Sequence, residues 1–272
     1  ELVKAGFASH TDGVNLSVHE IAAEVIRSAS REKPADAALR EALKKFRDLP
    51  PWDATEVSKT VFLYYRWHGW LRDERGGVDS KMRIALRLAE RFRANPRSIP
   101  ITELRAKAVP SWTAEQTAVS DDWLRSLQGE PTLWLRARRG QGRALAEKLG
   151  GAKLREDVLP DAVEYRGEDD LFRRAEFHAG EFEIQDIASQ AVGFVCDPKA
   201  GESWWEACAG EGGKLLHLSD LMENKGLIWG SDRAAWRLQR LKRRTARAKV
   251  FNYRAALWDG GAKLPTKTQF DG

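Results

Sequence analysis

Residues 206–220 read EACAGEGGKLLHLSD: Ala207, Cys208, Ala209, Gly210, Gly212 and Gly213 are small, Glu211 alone among them is bulky, and the run enters an apolar helical pattern directly. Upstream, ESWWEAC has the texture of a buried strand, while downstream GGKLLHLSDLM reads as a helix and GLIWGSD as a second strand ending in Asp232. A strand, a glycine-rich turn, a helix and a second strand closed by an acid about twenty residues on form a nucleotide-type βαβ unit. Gly210, Gly212 and Gly213 let the backbone approach a ligand closely, and Asp232 is placed to accept both hydroxyls of a ribose. The spacing is not GxGxxG, which argues against a pyrophosphate. An adenosine-containing ligand without phosphates fits better, and S-adenosylmethionine is the first choice. The plain alternative is a tight turn that binds nothing.

The remainder of the chain has three textures. From about Asn15 to Asn95 it is helical: Ile21, Ala22, Val25, Ile26 and Ala29 recur at helical spacing, as do Ala38, Leu39, Ala42, Leu43 and Phe46. Pro50-Pro51 breaks the pattern, EVSKTVFLYYRWHGWL resumes it, and a further helix reads from Lys81 to Phe92. This predicts an all-helical domain over residues 1–100. Pro96 to Pro110 punctuates the chain. Beyond it, SWTAEQTAVSDDWLRSLQ can form a helix, TLWLRARR a strand, GQGRALAEKLG a short helix and DAVEYRG a strand, which predicts a small α+β domain over residues 101–178. From there IQDIASQAVGFV reads as a helix leading into the βαβ unit, AAWRLQRLKRRTARA as a helix and AKVFNYRA as a third strand, so residues 179–272 read as α/β and the fold class as a whole is α/β.

Charge narrows the partner. Across 272 residues, Lys and Arg number 45 against 40 Asp and Glu, a net charge of +5 that favours a polyanion without proving one. Two clusters stand out. Arg136, Arg138, Arg139 and Arg143 crowd the middle domain, and Arg237 to Lys249 carries seven cations and no acid, a helix face that either tracks phosphates or is merely solvated. Trp52, Trp67, Trp70, Trp112, Trp123 and Trp134 could stack bases, although their spacing suits core positions better. The five histidines show no metal-ligand spacing, so no metal is expected, and His217 reads as packed or exposed rather than catalytic. With only Cys196 and Cys208, no apolar run of membrane-spanning length and no secretory leader pattern, a cytoplasmic, non-membrane protein acting as a monomer is expected.

EIQDIASQAV, followed by PKAGESWWEACAGEGGKLLHLSDLMENKGLIWGSD and RL, is similar to the Sun/Nol/Nop family of RNA cytosine-5 methyltransferases, whose hallmark is a Q-D-x-x-S-Q helix followed by D-x-C-A-x-P-G-G-K-T. VPSW and PTLWLRAR resemble the family's helical entry and linker segments, and the N-terminal helices resemble the NusB-like RNA-binding domain of one bacterial branch. The resemblance implies a helical NusB-like domain, an RNA-contacting linker domain and the first half of a Rossmann-like methyltransferase domain. It also implies RNA, ribosomal RNA first, as the partner, with the four middle-domain arginines as its contacts. The cofactor loop falls on Cys208, Ala209, Gly210, Glu211, Gly212, Gly213 and Lys214, with Asp232 as the ribose acid. The runner-up is a non-catalytic RNA-binding adaptor with a vestigial methyltransferase half. A small-molecule methyltransferase is a weaker third reading, because the basic clusters and the helical extension argue against it.

Three departures from the family pattern carry consequences. Glu211 stands where the family has proline, and Arg254 stands where an acid shortly after the third strand usually takes the adenine amino group, leaving that task to backbone groups or to Asp259. Transfer to carbon 5 of cytosine also needs a nucleophile at carbon 6, for which a thiolate is suited. The family's two cysteine segments have no match before Gly272, Cys208 reads as a small packed residue beneath the loop, and Cys196 precedes the first strand. No residue is therefore assigned a catalytic role, and the chain by itself is expected to transfer no methyl group.

Overall fold

The computed structural model describes residues 17–167 and 169–272, and it divides into two compact units, Glu1–Pro131 and Thr132–Gly272. The expected helical texture from Asn15 thus begins outside the described residues.

The first unit is helical: α1 (Val18–Ser28), α2 (Ala35–Lys45), α3 (Pro51–Arg66), α4 (His68–Leu71), α5 (Val78–Ala94), α6 (Ile101–Lys107), α7 (Thr113–Gln116) and α8 (Asp121–Ser126). Ser17 and Glu20 start α1 with a capping box, and Pro51 opens α3 at the position where its missing N–H costs nothing. Trp67 is central to the core, its ring 4.8 Å from Trp70 and 5.8 Å from Phe92. The same core takes in Ile99, Leu104 and Leu124, and the Arg125 guanidinium donates to the carbonyls of Pro96 and Ile99. Residues 101–126 therefore pack with the helical unit, and the boundary expected near residue 100 lies instead after Pro131. Those helices carry their own apolar faces, which only the upstream core covers. Trp67 and Trp70 are buried as expected, but Trp52, Trp112 and Trp123 are exposed, because no element among the described residues covers the start of α3 or the short α7–α8 region.

The second unit contains two sheets. β1 (Leu133–Ala137), β2 (Ala152–Leu154), β3 (Ala162–Tyr165) and β4 (Phe182–Ile184) form an antiparallel sheet in the order β2-β3-β1-β4, with α9 (Gly142–Lys148) and α10 (Ala175–His178) beside it. β4 comes after residue 178, so the small domain closes later than its expected boundary. Its three residues are too few to show alternation, and they become a strand by pairing Leu135 with Ile184 and Ala137 with Phe182. After α11 (Ile187–Cys196) come β5 (Ser203–Glu206), α12 (Gly213–Leu221), β6 (Leu227–Asp232), α13 (Ala235–Arg247) and β7 (Tyr253–Leu257). The three strands are parallel in the order β5-β6-β7, with Trp205, Trp229 and Arg254 in one cross-strand row. Leu215 of α12 and Leu241 of α13 both close on Gly230, so the two crossover helices cover the same face of the sheet. On the free edge of β5, Trp205 N–H donates to the Gly272 carbonyl and Asp271 N–H to that of Ser203. Among the described residues no helix is long and apolar enough to cross a membrane.

Candidate cofactor site

The site is the turn between β5 and α12 at the carboxyl end of the parallel strands, where open α/β sheets bind ligands. Gly210 and Gly212 adopt φ of 55° and 85°, the left-handed region that side chains disfavour. At Gly212 sterics add to this, since a Cβ would lie 2.9 Å from Leu241 Cγ. Hydrogen bonds hold the turn closed: Gly212 N–H donates to Ala209 O at 2.8 Å, and Ala209 N–H donates to Ser231 O at 2.8 Å.

Asp232 completes the frame. Its Oδ2 accepts the Gly210 N–H at 2.9 Å and its Oδ1 the Ala234 N–H at 2.8 Å, with only 6% of the residue exposed. The acid at the end of β6 therefore fixes the loop of the neighbouring strand as well as its own turn. Each oxygen retains acceptor capacity for a further donor.

Glu211, in place of the family's proline, is held from α13: its carboxylate pairs with Arg240 at 2.5 Å, and Arg244 donates to its carbonyl at 3.1 Å. Arg244 also bonds Glu183 of β4 at 2.8 Å, so one guanidinium joins the antiparallel domain to the loop between β5 and α12. Ala209 is buried and Gly213 and Lys214 open α12, but Cys208 is exposed. The expectation of a packed Cys208 is thus corrected. The chain turns at the end of β5 so that Ala209, not Cys208, points into the core beside Leu215 and Ile228.

The Q-D-x-x-S-Q segment acquires physical roles in the same place. Asp186 caps α11 by accepting the Ala188 N–H at 2.9 Å. The Gln185 side chain accepts from Arg136 Nε at 2.9 Å and donates to Gly213 O at 3.3 Å, and buried Gln190 donates back to Gln185 O at 2.9 Å.

Sequence reading missed Glu206, the last residue of β5. Its Oε2 is buried without a hydrogen-bond partner, and burial pushes the carboxyl pKa up to about 7 against the opposing pull of Lys214 and Arg244. The available signal was its place two residues before Cys208, where the family pattern begins with an acid. The folded state holds this proton more tightly than the unfolded chain, whose ordinary value is 4.5, so the contribution is full below about pH 4.5 and is lost as pH rises through 7. Glu206→Gln is expected to be more stable than the parent at pH 8 by up to about 3 kcal/mol and level with it near pH 4. Urea midpoints across that range check this, and a parent–variant difference that does not change with pH would exclude a buried, reluctant carboxylate.

The basic cluster of the middle domain divides. Arg136 is 2% exposed, its Nη1 bonded to Asp220 Oδ2 at 2.9 Å, so it is corrected from an RNA contact to an internal tie between β1 and α12. Arg138 is drawn into the same tie, 3.0 Å from the other oxygen of Asp220. Arg139 reaches Glu223 at 3.0 Å and stays exposed, as does Arg143, 3.8 Å from Glu156. The cations of α13 divide likewise, since Arg244 and Arg247 both turn inward onto Glu183.

His217 is packed. Its ring meets Phe194 edge-on at 5.1 Å, and burial beside Arg136 lowers its pKa to about 3. Cys196 ends α11, ahead of the first parallel strand. Arg254 is an interior residue of β7 paired with Trp229, whereas Asp259 lies just beyond the strand's carboxyl end. Among the described residues no cluster of His, Cys, Asp and Glu is arranged to hold a metal ion.

The family described as 16S rRNA methyltransferase RsmB/F matches residues 194–271, which span the site from the end of α11 onward. "Probable ribosomal RNA small subunit methyltransferase B" of Synechocystis is 33% identical over 89 residues, covering 33% of this chain and 20% of the relative. A mouse 28S rRNA (cytosine-C(5))-methyltransferase is 32% identical over 115 residues, covering 40% of this chain and 25% of the relative. The chain thus spans a quarter or less of these relatives' own length. Among solved structures, that of PH0851 superposes with a TM-score of 0.61 at 21% identity over 89% of this chain and 70% of its own, a likeness of fold.

Proposed function

We infer that this chain, whose residues 194–271 match the family described as 16S rRNA methyltransferase RsmB/F, serves S-adenosylmethionine-dependent methylation of carbon 5 of cytosine in RNA, ribosomal RNA first. The observation that carries this reading is the β5–α12 turn clamped by Asp232, with Glu206 buried beside it, its carboxylate taking the Leu215 backbone N–H while Oε2 has no partner. A buried acceptor without a donor suits the ammonium of the cofactor's methionine part. Asp232 suits the ribose hydroxyls and Asp259 the adenine amino group. Gly210 to Lys214 supply the close backbone approach, and the first-turn amides of α12 lack intrahelical partners. When bound, the cofactor supplies an electrophilic methyl group on a sulfonium.

In this reading neither thiol attacks the base. Cys196 packs against the apolar core under the parallel sheet, and Cys208 belongs to the cofactor loop itself. The chain alone is then expected to trap no covalent adduct with 5-fluorocytosine-containing RNA, and a trapped adduct abolished by Cys208→Ser would overturn that assignment. The helical first unit takes the place of a NusB-like domain, Arg139 and Arg143 are outlying RNA contacts, and the protein acts as a cytoplasmic monomer.

Calorimetric titration tests the cofactor. S-adenosylmethionine and S-adenosylhomocysteine should bind while NAD does not, because the turn lacks the pyrophosphate spacing. Binding of NAD alone, or of none of the three, would sink the reading.

A further inference from the structure

We propose that a groove between the antiparallel domain and α13 holds a single-stranded stretch of RNA beside the cofactor loop, an inference that rests on the reading of the chain as part of an RNA methyltransferase. The groove has a volume of about 460 Å³, and its walls include Phe172, Phe177, Glu183, Glu211, Arg240 and Arg243.

One wall belongs to a helical stripe that runs on past the groove to Trp236. Trp236, Arg240, Arg243 and Arg247 recur at i, i+4, i+7 and i+11, which places them on one face of α13 over a length of about 16 Å. Trp236 is exposed, and the guanidinium of Arg240 lies 4.9 Å from its ring centroid. The charges in the groove do not cancel. Arg240, Arg243, Arg244 and Arg247 face only Glu183 and Glu211, and Arg243 pairs with no acid among the described residues.

Two carboxylates hold three of these arginines in place, so part of the excess positive charge is carried by ordered side chains and the rest by the exposed Arg243. The opposite wall is aromatic. Phe172 is 61% exposed, braced edge-on by Phe177 at 5.1 Å, and Phe177 in turn lies under the Arg247 guanidinium at 3.7 Å. A rigid, exposed ring facing a row of guanidiniums matches a strand whose bases are splayed from its backbone: the bases have a face to stack on and the phosphates have charges to meet. A duplex hides its base faces and would leave Phe172 unused. An acidic peptide would answer the charge but not the ring.

The groove also borders Glu211, the loop residue that Arg240 and Arg244 hold. RNA lying there would pass directly beside the methyl donor.

The test uses the whole chain and a short unstructured RNA oligonucleotide followed by fluorescence anisotropy. Phe172→Ala should weaken binding about tenfold and Phe172→Tyr, which keeps the ring, should restore it. Arg243→Glu should weaken binding and make its dependence on salt shallower by about 0.7 in the log–log slope, the share of one phosphate on a single strand. Both positions are exposed, so thermal melts should match the parent. Unchanged RNA affinity in both Phe172→Ala and Arg243→Glu would overturn the groove while leaving the methyltransferase reading intact. A parent chain that binds S-adenosylmethionine but no RNA would instead overturn the RNA reading itself. A polyglutamate peptide binding more tightly than RNA would assign the groove to a protein partner.

Discussion

Asp220→Ala is expected to cost the second unit about 3–5 kcal/mol, the effect of leaving a buried charge without its partner. Arg136 lies in the interior with Nε on Gln185 and Nη1 on Asp220, while Nη2 is already without an acceptor. Burial pulls its pKa down, and Asp220 is the first of the charges that oppose this. Asp220 also takes the Arg138 guanidinium and the Arg139 backbone N–H, each at 3.0 Å. Removing the carboxylate therefore strands three donors, of which the Arg136 guanidinium lies in the interior. Arg136→Met in the same background should recover part of the loss, because the uncompensated guanidinium goes with it. Urea unfolding at constant m-value measures both. A single-variant loss under about 1 kcal/mol would mean that water reaches this cluster.

The fate of Arg136 shows why some of the structure was legible in the sequence and some was not. TLWLRARR alternates, and alternation correctly puts Leu135 and Ala137 on one face of β1 and Arg136 on the other. What the pattern cannot show is that α12 brings the carboxylate of Asp220, 84 residues away in sequence, over that second face. A local pattern reports which side a residue takes, while burial depends on what later arrives there. The turn at 206–213 was readable because its requirements are local: positive φ at Gly210 and Gly212, a helix beginning at once, and an acid at the next strand end. Glu206 escaped notice because its interest lies in a missing partner, and sequence records residues rather than unmet hydrogen bonds. Helices α7 and α8 were legible as helical but were assigned to the wrong unit, since an apolar stripe does not say which core will cover it, and α6 went unread because the prolines that flank it looked like punctuation.

Asp232→Ala is expected to weaken S-adenosylhomocysteine binding at least about a hundredfold, by two routes that act together. The direct route removes a charged acceptor from the ribose hydroxyls, where each such hydrogen bond contributes about 1.5–3 kcal/mol. The indirect route frees the Gly210 and Ala234 amides, which Asp232 now holds at 2.9 and 2.8 Å, and so lets the loop drift from the geometry that admits the ligand. Asp232→Asn separates the routes. The amide oxygen can keep one backbone N–H, but its NH2 group meets the other as donor against donor, so the loop should loosen while one ribose acceptor survives. Affinity in Asp232→Asn should therefore fall between the parent and Asp232→Ala. Calorimetry gives the affinities, and amide exchange at Gly210 and Ala234 reports the loop. Unchanged affinity in Asp232→Ala, with faster exchange at Gly210, would show that Asp232 only braces the turn and that the ribose is read elsewhere.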